Sequence, residues 1–199
     1  MRSNLRKVDL VLHRRPLVKT LLESRPENVL VVSGLGSSTW DVTAAGEDAR
    51  DFRFIGAMGQ AGPFALGLAM AQPKKRVVLF TGDGELLMGL GVLATIANQS
   101  PSNLVIVVLD NESYVETGSQ PSATAGPTDL EAVARGCGIV TTGTITKDSE
   151  VNLLRDMVYD APGPVFMNVK VIAETLPLVF PESFDGVTAV NRFRNAAIA

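Results

Sequence analysis

Residues 76–84 read RVVLFTGDG and residues 104–113 read LVIVVLDNES. Each is an unbroken apolar run that ends in glycine, aspartate or asparagine, without the alternation of a half-exposed strand. Strands of this kind are buried on both faces, as in a parallel sheet covered by helices. The 25 residues 85–109 hold a helical pattern over 85–98, with Leu86, Leu90, Leu93 and Ala97 on one face, followed by the second strand. A strand, a crossover helix and a returning strand bring both polar ends to the same edge of one sheet.

The alternation continues outward from this unit. Upstream, residues 4–23 carry apolar residues at helical spacing, with Pro16 breaking or kinking the stretch, and residues 29–33 form a β-branched strand that ends in the turn GLGSS (34–38). A short strand over 53–55 and a small-residue helix over 63–71 follow. Downstream, Thr128 and Glu131 have capping-box spacing ahead of a helix ending near Gly136. Strands over 139–142 and 164–172 flank a helix over 149–159. The prediction is an α/β fold, a doubly wound, mainly parallel sheet flanked by helices. Residues 1–199 make a single domain with a core over about 28–172, and 173–199 form a C-terminal arm suited to lie on another surface.

Composition removes several function classes. With 46% hydrophobic residues, 20% charged and a net charge of -3, the chain is globular and lacks the basic excess that nucleic-acid binding leaves. The single Cys137 cannot form an internal disulfide, zinc site or iron–sulfur cluster, which predicts a reducing compartment. The longest strongly apolar run, 104–109, is six residues, against about 20 for a bilayer span. Asp9, His13, Arg14 and Arg15 interrupt what would be a signal peptide, so the chain reads as cytoplasmic. His13 is the sole histidine and reads as a surface helix residue, which removes histidine triads and multi-histidine metal sites.

Ligands of open parallel sheets bind at the carboxyl ends of the strands. Gly82 and Gly84 around Asp83 permit a sharp turn and close backbone approach, and the helix that follows offers free N–H groups to an anion. Asp83 and Asn111 are hard oxygen donors. With the carbonyl of Ser113 they supply three ligands to magnesium and leave places for phosphate oxygens and water. Each half alone is a common turn; the pair, one helix and one strand apart, reads as a magnesium–diphosphate site. Gly34 and Gly36 begin a dinucleotide fingerprint, but Thr39 stands at its third glycine.

A GDG tripeptide, about 25 to 30 residues, then an asparagine-containing pair resembles the diphosphate-binding domain of thiamine diphosphate enzymes. FIGAMGQAGPFALGLAM (54–70) resembles that family's glycine turn and small-residue helix. LDNESYVETGSQPSAT (109–124) resembles the corresponding loop of the phosphonopyruvate and sulfopyruvate decarboxylases, and the likeness spans about 28–172. The resemblance implies magnesium ligation by Asp83, Asn111 and the Ser113 carbonyl. It implies thiamine diphosphate contacts from Ser37, Ser38, Gly82, Gly84, Glu85, Leu86 and Tyr114. It also implies a Gly56 carbonyl that accepts from the aminopyrimidine amine, and Met58 as the wedge that bends the cofactor. Thr117, Ser119 and Gln120 become the polar residues nearest substrate, a short 2-oxo acid with a sulfonate or phosphonate group.

Two positions depart from the commoner pattern, Asp110 in place of asparagine and Glu85 in place of a small residue. The family also needs a pyrimidine-binding domain, for which this chain has no room. The resemblance therefore implies one subunit of a split, hetero-oligomeric decarboxylase, inactive without its pyrimidine-binding subunit. A carboligase or acyltransferase subunit, and a catalytically idle cofactor-binding subunit, share the same motifs.

Overall fold

The structure, a computed structural model, describes residues 12–23, 25–183 and 185–199. The first eight residues of the predicted 4–23 helix lie outside that range. What is described of it is α1, Arg14–Leu22, which contains Pro16 in its first turn. The missing proline N–H costs nothing there, because first-turn amides have no intrahelical partner. His13 precedes the helix as its N-cap and is exposed, with Nδ1 3.1 Å from Glu174 Oε2.

Six strands form one wholly parallel sheet. In chain order they are β1 (Val29–Ser33), β2 (Asp51–Arg53), β3 (Arg76–Gly82), β4 (Leu104–Asp110), then two that follow the tight hairpin β5 (Ser113–Tyr114) and β6 (Gln120–Pro121), namely β7 (Thr141–Ile145) and β8 (Val165–Lys170). Their spatial order is β2-β1-β3-β4-β8-β7. All seven residues of β4 are buried. Successive residues of β4 enter opposite cores: Leu104, Ile106 and Val108 one, and Val105, Val107 and Leu109 the other. A strand apolar at every position is what two covered faces demand.

The first core is closed by α3 (Ala61–Ala71), α4 (Asp83–Leu87), α5 (Val92–Gln99) and α6 (Leu130–Gly136). The second is closed by α1, α2 (Ser37–Ala44) and α7 (Val151–Tyr159). Several boundaries differ from expectation. The helix predicted over 85–98 is two helices separated at Met88–Gly91, where Gly89 and Gly91 interrupt it. The strand expected at 53–55 begins at Asp51, whose buried carboxylate is held by Arg25. The strand expected at 139–142 runs from Thr141 to Ile145. Asp129, not Thr128, caps α6, accepting from the Ala132 amide at 3.0 Å.

After β8 the chain crosses its own surface. Arg15 donates to the Pro177 carbonyl at 2.9 Å, and Phe180 meets Trp40 edge to face with centroids 5.4 Å apart. It ends in α8, Gly186–Ile198, capped by Asp185. The buried Phe193 packs on Phe52, so α8 covers the β2 edge of the sheet. No helix among the described residues is long and apolar enough to cross a membrane.

Candidate active site

β1 and β3 are neighbours, but the chain leaves β1 for α2 on one face and β3 for α4 on the other. Such divergence opens a crevice at the carboxyl ends of the two strands. The loop after β4, with its β5–β6 hairpin, closes a third side. The result is a cleft of about 330 Å3 whose walls include Ser37, Ser38, Met58, Gly82, Asp83, Gly84, Glu85, Asn111, Ser113, Tyr114 and Thr117. Four other predicted residues stand apart from the lining. Leu86 places its side chain in the core, Gly56 is exposed beside Phe54, and Ser119 and Gln120 are exposed on the hairpin. Gln120 turns back on its own loop, donating to the Thr117 carbonyl at 2.8 Å.

Asp83 is 2% exposed. One carboxylate oxygen accepts from the Ser122 hydroxyl and, at 3.0 Å, from the Thr124 hydroxyl. Burial pushes its carboxyl above the ordinary range; Ser122 opposes that rise and nearby Asp110 adds to it. A buried carboxylate oriented by neutral hydroxyls beside a second carboxylate is a site that a divalent cation relieves. Asp110 is already compensated. Lys170 Nζ lies 2.7 Å from one of its oxygens, Asn168 donates to the same oxygen at 3.1 Å, and the Thr124 hydroxyl, whose one proton is shared between the two carboxylates, lies 2.7 Å from the other. Aspartate is therefore tolerated at 110 because β8 supplies the counter-charge.

Asn111 Oδ1 accepts from the Ser113 amide at 2.9 Å, a side-chain turn that fixes the amide group over the start of the loop. The donor set of one carboxylate, one amide oxygen and one main-chain carbonyl suits a hard cation that retains water and phosphate ligands. The residues thus fit magnesium, with no cluster of three or more acidic, histidine or cysteine side chains among the described residues. Gly84 fits the second half of the site. A Cβ there would stand 2.3 Å from the Tyr114 ring, so only glycine lets the first turn of α4 sit beneath that aromatic wall. Because α4 has just five residues, the contribution toward an anion is the local amides of Gly84, Glu85 and Leu86 and not a long helix dipole.

Ser122, Thr124 and Arg14 bear on the cleft without having been singled out by their motifs. Ser122 and Thr124 orient Asp83. Of the predicted pair, Ser38 donates its hydroxyl to the Gly34 carbonyl at 2.9 Å, and Ser37 donates to Glu116 at 3.2 Å. Arg14, 3% exposed, reaches the cleft wall from α1. It bonds Asp41 at 2.5 Å, the Ser37 carbonyl at 3.4 Å and the Glu174 carbonyl at 3.3 Å. Nothing in the sequence distinguishes Arg14 from its basic neighbours; its partner Asp41 is buried mid-helix, a placement only the fold reveals.

The loop before α3 crosses the α4–α5 junction at contact distance. A Cβ on Gly89 would lie 2.0 Å from the Gly59 carbonyl oxygen. Gly89→Ala must push two backbones apart and should cost about 1 to 3 kcal/mol, read as a lowered midpoint in thermal or urea unfolding. An unchanged midpoint would show that the crossing yields freely.

The family profile described as thiamine pyrophosphate enzyme, C-terminal TPP binding domain, matches residues 35–169. Sulfopyruvate decarboxylase subunit beta of Methanothermobacter thermautotrophicus is 41% identical over 145 residues, covering 73% of this chain and 75% of that protein. The subunit of the same name from Methanocaldococcus jannaschii is 36% identical over 136 residues, 68% of this chain and 70% of that one. Phosphonopyruvate decarboxylase of Streptomyces viridochromogenes is 40% identical over 121 residues, 61% of this chain and 30% of that longer protein. A solved Mycobacterium smegmatis protein described as thiamin diphosphate-dependent shares the fold, with a TM-score of 0.67 at 22% identity over 79% of this chain and 31% of that one. The matched region takes in every loop that shapes the cleft, and the chain belongs to the thiamine pyrophosphate enzymes, through their C-terminal cofactor-binding domain.

Proposed function

We propose that this chain is the diphosphate-binding subunit of a split thiamine diphosphate-dependent 2-oxo acid decarboxylase of the cytoplasm, acting on a sulfopyruvate- or phosphonopyruvate-like substrate. The observation that carries the reading is the pairing of Asp83 with Asn111 at the ends of adjacent strands, inside one cleft. The decarboxylase subunits named above, which match about this length of chain, support the reaction class.

Asp83, Asn111 and the Ser113 carbonyl would hold magnesium, and the amides of Gly84, Glu85 and Leu86, with Gly82 and the Ser37–Ser38 turn, the diphosphate. Tyr114 and Met58 would flank the organic part, and the Gly56 carbonyl would accept from the aminopyrimidine. Thiamine diphosphate, when bound, supplies the nucleophilic carbon and the electron sink for loss of carbon dioxide. The other carboxylates among the described cleft-lining residues make bonds of their own: Glu85 with the Gly59 and Ala61 amides, Glu116 with Ser37. The acid that protonates the aminopyrimidine ring would come from a second, pyrimidine-binding subunit. The outer face of α3, with Pro63, Gly67 and Met70 exposed, and the segment after residue 173 are the surfaces offered to it.

The loop 112–126 contains no Lys or Arg. Among the described cleft-lining residues Arg14 is the one such cation, and Asp41 already holds it. The second anionic group of the substrate would therefore be read by the partner subunit or by main-chain amides, with Thr117 the nearest hydroxyl here. Carbon dioxide release by the two-subunit enzyme from pyruvate, sulfopyruvate and phosphonopyruvate tests this. The sulfonate or phosphonate substrate should win in kcat/KM; a preference for pyruvate or a branched 2-oxo acid, or a carboligated product, would overturn the substrate or the reaction.

A further inference from the structure

Glu85 is 3% exposed, and the bonds it makes lead toward the wall of the cleft and not into it. One carboxylate oxygen accepts from the Gly59 amide at 2.9 Å and from the Ala61 amide at 3.3 Å. The other accepts from the Thr81 hydroxyl at the end of β3. These donors sit on segments far apart in sequence: Thr81 at the strand end that leads to Asp83, Gly59 in the loop 56–60 that carries Gly56 and Met58, and Ala61 at the first turn of α3, where that loop ends. Gly59 has φ +81, and the loop has a helix on one side only. β2 ends at Arg53 and α3 begins at Ala61, so the ladder fixes neither Gly56 nor Met58.

On the reading that this cleft holds thiamine diphosphate, we infer that Glu85 is a positioning residue: its carboxylate locks the Gly56–Gln60 loop, and with it Met58, to the strand end that holds the metal ligand. A buried carboxylate that replaces a small residue is costly unless it is fully bonded, and here its bonds join the loop and the start of α3 to the end of β3. The charge suits the task. An ionised carboxylate accepts from several donors at once, and charge-assisted bonds to main-chain amides are the stronger kind. The same side chain reaches both halves of the site, the half that holds the cation and the half that faces the organic ring. A small residue at 85 would leave the two amides unpaired and the loop free to drift by more than the fraction of an ångström that a wedge tolerates.

Hydrogen exchange on the purified chain tests the tether without any cofactor. In Glu85→Ala the Gly59 and Ala61 amides should exchange at least about tenfold faster while those of β3 and β4 keep their protection. Glu85→Gln should stay near the parent, because its amide oxygen still accepts from both N–H groups and its NH2 can donate to Thr81. Unchanged exchange at Gly59 and Ala61 in Glu85→Ala overturns the inference. If that variant does not fold, Thr81→Val, equal in shape, should show the same loosening in part, and no loosening there overturns it equally.

Calorimetry with thiamine diphosphate and magnesium gives the second readout. Glu85→Ala should bind about 10- to 100-fold more weakly, the range for residues that orient a ligand-bearing group, and Glu85→Gln should recover most of that. In a Met58→Ala background the Glu85→Ala loss should largely vanish; losses that simply add would mean Glu85 acts elsewhere. Failure of the parent chain to bind would sink the cofactor reading and the loop's role toward it, while exchange would still decide whether Glu85 holds the loop.

Discussion

Asp83→Ala should weaken magnesium-dependent binding of thiamine diphosphate by about 100-fold or more, since even groups that merely orient metal ligands are worth about 10- to 100-fold. The substitution removes the one carboxylate of the donor set. The Ser122 and Thr124 hydroxyls that orient it cannot replace a charge. Stability should move the other way or barely at all. Burial holds the Asp83 carboxyl above its usual range, so the ionised form is disfavoured in the fold, and a neutral side chain relieves that cost. A divalent cation favours the ionised form. Cofactor uptake should therefore release a proton below the raised pKa and strengthen as pH rises through it. Calorimetry in two buffers of different ionisation heat reads both the affinity and the proton. Binding equal to the parent's would remove Asp83 from the metal site.

The second large effect is all or none. The purified chain should release no carbon dioxide from any 2-oxo acid, and turnover should appear when a pyrimidine-binding subunit is added. The carboxylates that line the cleft are Asp83, Glu85 and Glu116. The first would hold the cation, the second is held in the cleft wall by Gly59, Ala61 and Thr81, and the third accepts from Ser37, at the turn that would hold diphosphate and so at the other end of the cofactor from the aminopyrimidine. A cofactor held by one subunit alone would also lack the desolvated surroundings that favour charge-dispersing decarboxylation. Full turnover by this chain alone would refute the two-subunit arrangement.

The α/β architecture was legible because residues 77–80 of β3 and 104–109 of β4 are unbroken apolar runs, and the diphosphate corner because GDG and Asn111 fall at their carboxyl ends. What escaped was mostly cooperative. Glycines at 89 and 91 signalled the break between α4 and α5, but the helical spacing of Leu86, Leu90 and Leu93 argued more loudly for continuity. Ile139 looked like the start of a strand, yet it is buried beneath α6 while the ladder begins two residues later, with Thr141 paired to Val165. Asp185 ahead of a helical run was a cap signal within a segment read only as an arm. Ser122, Thr124, Lys170 and Arg14 matter through partners that lie from 14 to 160 residues away in sequence, and no local pattern announces such pairings.

The strand order also dictates when the molecule can become itself. β8 is the last strand made, yet it lies between β4 and β7. While the chain is being synthesised, β4, the most apolar strand, has β3 on one flank and nothing on the other until residue 165 has emerged. β7, though already made, has no neighbour in the sheet to join. The counter-charge for Asp110 arrives on that same last strand, as Lys170. A nascent or truncated chain thus presents the LVIVVL edge to its surroundings, a template for wrong pairing, and closing that edge is the same event that completes the electrostatics beside the site.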